Sequence, residues 1–162
     1  MFKKILIVLL IVLVIIQFIH PKKNKSESAQ LNYIGNTFNV PPDVKIILAK
    51  ACNDCHSNNT KYPWYTNLQP VHWWLNDHIN DGKKELNLDE YTSRSLRFQY
   101  KKMEEITEQV KEGEMPLNNY TWMHSIARLT PEERTKITGW ANSIMDTLKA
   151  RYPIDSLIRK KS

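Results

Sequence analysis

The 162-residue chain predicts a small all-α domain behind an apolar N-terminal segment. Three observations lead there. Apolar residues recur every three or four positions in four separate stretches, helix start and stop signals bracket those stretches, and no stretch has the period-two alternation of a strand. The length suits one modest domain plus an extra segment and excludes a large multidomain enzyme.

The first element is the run Ile5 to Ile19, ILIVLLIVLVIIQFI, broken only by Gln17 and preceded by Lys3 and Lys4. A run with no polar face has no place in the core of a small domain. Residues 1–21 are therefore expected to form an N-terminal transmembrane anchor or uncleaved signal, with 5–19 in the bilayer. The run is slightly short of the roughly 20 residues that span one, and His20-Pro21-Lys22-Lys23 offers no A-x-A-like cleavage site. Residues 22–40, KKNKSESAQLNYIGNTFNV, are polar and without sustained periodicity, so a tether is expected.

The folded domain is expected over 41–152. Pro41-Pro42-Asp43 opens a helix, with proline tolerated and an acid favourable in the first turn, and Val44, Ile47, Leu48 and Ala51 share one face. Residues 57–69 read as a loop carrying Tyr62, Trp64 and Tyr65. Pro70 opens a second helix, VHWWLNDHIN, expected to end at Gly82. A third repeats Leu96, Tyr100, Met103, Ile106 or Thr107, and Val110, and stops at Gly113. After a loop from Glu114 to Leu129, Thr130-Pro131-Glu132-Glu133 has the form of a capping box. It starts a last helix with Ile137, Trp140, Ala141, Ile144 and Leu148 on one face. Residues 153–162 read as a basic tail.

The formal charge of +6 is concentrated at the ends: Lys3, Lys4, Lys22, Lys23 and Lys25 at one, Arg159, Lys160 and Lys161 at the other. Between residues 26 and 158 there are 15 basic and 17 acidic side chains. A nucleic-acid-binding domain carries its basic residues on the folded body as a patch, so no nucleic-acid partner is expected. No Ser-His-Asp set, paired catalytic carboxylates, Gly-rich phosphate loop or H-E-x-x-H motif appears either.

The one specific motif is Cys52-Asn53-Asp54-Cys55-His56, which contains both cysteines of the chain. C-x-x-C-H is the attachment signature of c-type haem. Two thiols at this spacing can add to the two haem vinyl groups, and the adjacent histidine then lies beneath the iron. Such attachment takes place outside the bacterial cytoplasm. With the apolar segment, it predicts a single-pass protein of the cytoplasmic membrane whose domain faces the periplasm. Three other readings are open. A thioredoxin-like pair wants a βαβ setting, a zinc site wants two further ligands such as His72 and His78, and an exported protein can close a disulfide.

Haem would also compensate for a thin supply of core residues. Tyr62, Trp64, Tyr65, Trp73, Trp74, Trp122 and Trp140 are suitable walls for a flat apolar ring, Trp64, Tyr65 and Trp74 above all, although ordinary packing explains any one of them. For the second axial position Met115, in the loop Gly113-Glu114-Met115-Pro116, is expected, since a methionine beside proline in a loop is poorly explained as core filler. Methionine with histidine raises the reduction potential and marks electron carriers. His124, Met123, His72, His78 or an open iron are the alternatives, and His20 lies outside the expected domain.

The succession ACNDCH, NNTKYPWYTNLQPVHWW, GEMPLNNYTWMH and Leu129-Thr130-Pro131-Glu132-Glu133 resembles the bacterial haem-binding domain family related to cytochrome c over about residues 35–150. That resemblance implies a cytochrome c-like helical domain around one covalent haem c, with Cys52 and Cys55 as attachment points, His56 as proximal ligand and Met115 as distal ligand. The expected function is single-electron transfer with redox partner proteins at the membrane or in the periplasm, the tether allowing the domain to swing. A peroxidase-like or gas-sensing protein with an open distal site is the alternative from the enzyme and sensor classes. An interaction module holding haem within a larger respiratory complex is a third.

Overall fold

A computed structural model of the chain describes residues 1–159. All its regular elements are helical: α1 (Phe2–Ile16), α2 (Pro42–Ala51), α3 (Asn53–His56), α4 (Val71–Glu85), α5 (Leu96–Glu112), α6 (Asn118–Met123), α7 (Pro131–Arg151) and α8 (Ile154–Leu157), joined by short 3-10 turns. The four expected domain helices are α2, α4, α5 and α7. Two of their local signals operate as read. Thr130 and Glu133 form the reciprocal capping box of α7, and Gly113 closes α5 at φ 79°, a left-handed conformation that glycine adopts without strain.

The core lies where α5 runs along α7 and α2 crosses it. Val44, Ile47, Leu48 and Ala51 of α2 meet Ile137, Trp140, Ala141, Ile144 and Leu148 of α7, while α5 adds Tyr100, Met103 and Val110. Each set repeats at helical spacing on one face, so burying the faces together removes most of the apolar surface of these helices from water.

The N-terminal expectation is overturned. Among the described residues no helix is long and apolar enough to cross a membrane. Helix α1 has 15 residues, which at 1.5 Å per residue is about 22 Å against a hydrocarbon core of about 30 Å. It stops where polar groups find partners: the Gln17 amide donates to Leu13 O and Gln69 O, and its oxygen accepts from the Gln69 N–H. The expected transmembrane anchor over 1–21, and with it the single-pass placement in the cytoplasmic membrane with a periplasmic domain, therefore does not hold.

Residues 22–40 also differ from a free tether. Ile34, Phe38 and Val40 are buried in the core, and the Trp140 indole N–H donates to Asn39 O at 3.2 Å, fastening this stretch to α7. Asn24 gives its side-chain amide to Ser57 O and Thr60 Oγ1 and accepts from Lys83 Nζ. At the other end Leu157 of α8 is buried, and the Arg97 guanidinium donates to Asp155 O. The start of the expected basic tail is thus packed, while Lys160 and Lys161 lie outside the described residues.

Helix α4 corrects one further boundary. It continues three residues past Gly82 to Glu85, so this glycine is internal rather than a stop. A Cβ at Gly82 would stand 2.7 Å from Cys55 O and 3.0 Å from Cys55 Cβ. The missing side chain lets the short helix α3 seat directly on α4.

Candidate functional site

Helix α2 ends at Ala51, and the chain turns at once through Cys52 into the single turn of α3. Backbone bonds from Cys55 N and His56 N to Cys52 O close that turn. It brings Cys52, Cys55 and His56 to one wall of a cavity of about 460 Å³, within the range of cofactor pockets. The wall is continued by Leu48, Ala51, Ile106, Val110, Leu129 and Ile137, apolar side chains of α2, α5 and α7 and the residue before α7's cap. Met115 and Pro116, from the stretch between α5 and α6, line the same cavity. Two stretches some sixty residues apart in sequence, the motif and the Met-Pro loop, therefore line one cavity.

The histidine is oriented by backbone. His56 Nδ1 lies 3.0 Å from Gly82 O and 2.9 Å from Leu86 O. Both are acceptors, so Nδ1 carries the hydrogen and Nε2 holds the lone pair, the arrangement that metal-ligating histidines adopt. Burial holds the His56 pKa below the usual histidine range, outweighing the two carbonyls. The ring is thus the neutral, ligating form at neutral pH.

Both thiols are free, and neither is ionised at neutral pH. Burial, with Cys55 beside it, pushes Cys52 up to about 12, and burial with the Asp54 charge pushes Cys55 up to about 11. A thioredoxin-like pair needs a thiolate stabilised in an electropositive setting, and this environment does the opposite. Among the described residues no cluster of three or more His, Cys, Asp or Glu can hold a metal ion, which leaves the zinc alternative without its ligand set.

The aromatic residues are distributed differently from the expectation. Trp74 lines the cavity, whereas Trp64 is 76% exposed and Tyr65 bonds through its hydroxyl to His124 Nε2 at 2.6 Å, outside the cavity wall. Trp122 is 80% exposed, and Trp140 belongs to the core between α2 and α7. The cavity is apolar mainly through aliphatic side chains. Exposed aromatic residues in 57–69 could not be told from wall residues by composition alone.

Of the rival distal groups, His78 reaches the cavity. Its Nδ1 is paired with Trp74 O at 2.9 Å and its Nε2 with Asn119 Nδ2 at 3.3 Å. His72 is buried against His20, with their Nδ1 atoms 3.4 Å apart, and His124 stacks on Tyr120. Sequence reasoning passed over Tyr120, Asp54 and Lys102. Asp54 was visible inside the motif, but Tyr120 fell in a stretch read as loop. Lys102, on the cavity wall, forms ion pairs with Glu85 at 3.0 Å and Glu105 at 2.6 Å.

The chain's own groups fit a haem: an apolar cavity of suitable size, a histidine with a free ring nitrogen, two thiols beside it and a thioether from another segment. A family model described as a haem-binding domain matches residues 11–143. Comparison with curated proteins and with solved structures gives no match.

Proposed function

The chain belongs to the haem-binding domain family, and we propose that within it this protein is a monohaem c-type cytochrome that carries single electrons. Haem supplies a one-electron iron couple. Cys52 and Cys55 would hold it through thioether bonds, His56 Nε2 would be the proximal ligand and Met115 Sδ the distal one. A His/Met pair would favour electron carriage over binding of small molecules, because His56 and Met115 together would leave the iron no open position. Redox proteins that exchange one electron with the haem are the partners this reading requires.

The observation that carries it is the seating of His56. Two backbone carbonyls of α4 and the residue after it select the ligating tautomer, on the wall that both thiols share. The test is to express the full chain with a haem-attachment system, then record spectra before and after denaturation. Haem that stays with the denatured chain, and a low-spin spectrum with a sulphur-to-iron charge-transfer band, are expected. Haem released on denaturation would sink the covalent assignment, and a high-spin spectrum would sink the distal one.

A peroxidase-like or gas-sensing site draws on one observation, the presence of His78 on the cavity wall. Both of its ring nitrogens already have partners within the fold, so it supports that reading less well than Met115 supports the carrier.

A further inference from the structure

We propose that Tyr120 is a positioning residue for the distal wall: by bonding to Asp54 it registers the segment that carries Met115 against the Cys52–His56 turn. This inference rests on the reading of the cavity, whose wall includes Met115, as a haem site with Met115 as its second ligand.

Three side-chain hydrogen bonds join the stretch after Met115 to three different parts of the fold. Tyr120 Oη donates to Asp54 Oδ2 at 2.8 Å, Asn119 Nδ2 meets His78 Nε2 at 3.3 Å, and His124 Nε2 meets Tyr65 Oη at 2.6 Å. The three are not equivalent. Asn119 is exposed and its bond is long. The Tyr65 partner sits on the 64–67 turn, next to the exposed Trp64. Tyr120 is only 6% exposed, lines the cavity, and alone of the three reaches into the attachment motif.

Asp54 is a firm anchor for it. The other carboxylate oxygen accepts the Lys61 N–H at 2.9 Å, and its backbone carbonyl accepts the Thr60 hydroxyl at 2.6 Å. A phenol donating to a carboxylate is a charge-assisted bond, stronger and more directional than a neutral one. The Tyr120 ring is held flat against His124, centroids 4.3 Å apart at 16°, so the phenol has little freedom to swing away. Burial and then the Asp54 charge raise the Tyr120 pKa, which keeps the hydroxyl a donor at every physiological pH. Tyr120 lies five residues after Met115: the Met115 N–H is held by Gln109 O of α5 at 3.2 Å, so Tyr120 fixes the other end of the short stretch that follows the methionine.

The experiment compares Tyr120→Phe with Tyr91→Phe in the full chain. Tyr91 is fully buried and gives its hydroxyl to Gln99 O at 2.7 Å, away from the cavity wall. The two changes thus delete the same atom from buried sites, only one of them at the cavity. In haem-loaded protein, imidazole should displace the distal ligand more readily in Tyr120→Phe, with an affinity gain on the order of tenfold for loss of a bond to a charged acceptor. Tyr91→Phe should leave that affinity unchanged. Amide hydrogen exchange on the isolated chain should show lost protection confined to 117–124 in Tyr120→Phe. If Tyr120→Phe does not fold, Asp54→Asn, which keeps an acceptor and removes the charge, carries the test with a smaller shift in both readouts. Equal behaviour of the two tyrosine variants overturns the proposal. If the wild type has no Met-ligated haem, the reading of the cavity fails, and the exchange experiment still decides whether Tyr120 registers the segment.

Discussion

On the Cys52–His56 side of the cavity the geometry is held by backbone; on the other side Met115 is tied to α5 by its N–H to Gln109 O at 3.2 Å, but the stretch after it, 117–124, reaches the rest of the fold through side chains. The attachment turn continues α2, closes on its own backbone bonds, and rests on α4 at a contact only glycine permits; its histidine is oriented by two carbonyls. The distal stretch joins α5 to α7 through one short helix and meets the attachment turn and α4 through Tyr120 and Asn119. A backbone-held wall is disturbed only by steric insertion. A side-chain-held wall can be loosened one bond at a time, so graded changes there should tune the distal ligand while folding survives.

The largest effect should come from breaking the rigid wall. Gly82→Ala places a methyl group 2.7 Å from Cys55 O, and neither backbone can yield without tilting α3. Overpacking of this kind costs about 1–3 kcal/mol or more, and the displaced His56 should also lose its carbonyl partners. Chemical denaturation and haem content per chain should both fall. Gly139→Ala is the matched control, since a Cβ there meets nothing within 4 Å inside α7; it should stabilise the chain by roughly 0.5–1 kcal/mol, the usual gain for glycine to alanine within a helix. Equal losses in the two variants would remove the close approach as the cause.

Next in size is Met115→Ala, which tests the other wall. Haem content should be unchanged if Cys52 and Cys55 hold it as proposed, because Cys52, Cys55 and His56 are untouched. The sulphur-to-iron band should vanish, exogenous imidazole should bind, and the reduction potential should drop. An unchanged spectrum would move the distal assignment away from Met115 and leave the proximal wall as described.

How much of this was legible in the sequence follows the same division. The helices α2, α5 and α7 announced themselves because one face of each meets a continuous core. Val44, Ile47, Leu48 and Ala51 are all buried where spacing put them. Cys52, Cys55 and His56 stood out because the three are nearly contiguous in sequence, and a single turn of backbone brings them to one cavity wall. Gly82 misled, since a glycine required by a neighbour's backbone looks the same in sequence as one that ends a helix. Trp64 and Tyr65 stand off the cavity wall, and aromatic composition does not record which way a ring faces. Residues 34–40 were hidden for a different reason: Ile34, Phe38 and Val40 do not share a helical period, and the stretch is covered by partners remote in sequence, Phe38 meeting Tyr91 and Asn39 O accepting from Trp140. Residues 5–19 read as bilayer-spanning on apolarity alone. Helix α1 ends at Ile16, and at Gln17 the chain turns to Gln69, a partner that no local pattern announces.

Two smaller perturbations sharpen the contrast between the walls. Asn119→Ala removes an exposed, long bond to His78, and imidazole affinity should change by no more than about twofold, the small effect expected of an exposed polar contact. At the rear of the rigid wall, Lys50 of α2 and Glu133 of α7 are paired at 2.6 Å. That bond, with the Thr130 N–H, holds the Glu133 carboxyl below its usual range. A depressed carboxylate pKa contributes stability that is present above the unfolded value and is lost as pH falls through the folded one. Glu133→Gln keeps a side chain suited to the capping box and removes only the charge. The variant should be slightly less stable than the wild type at pH 7. The two denaturation midpoints should begin to converge as pH falls past the ordinary glutamate value of about 4.3, and should meet only once pH has passed below the depressed folded value, where the wild-type carboxyl is itself protonated. A difference that persists undiminished in acid would place the contribution of Glu133 in the cap rather than in its pairing with Lys50.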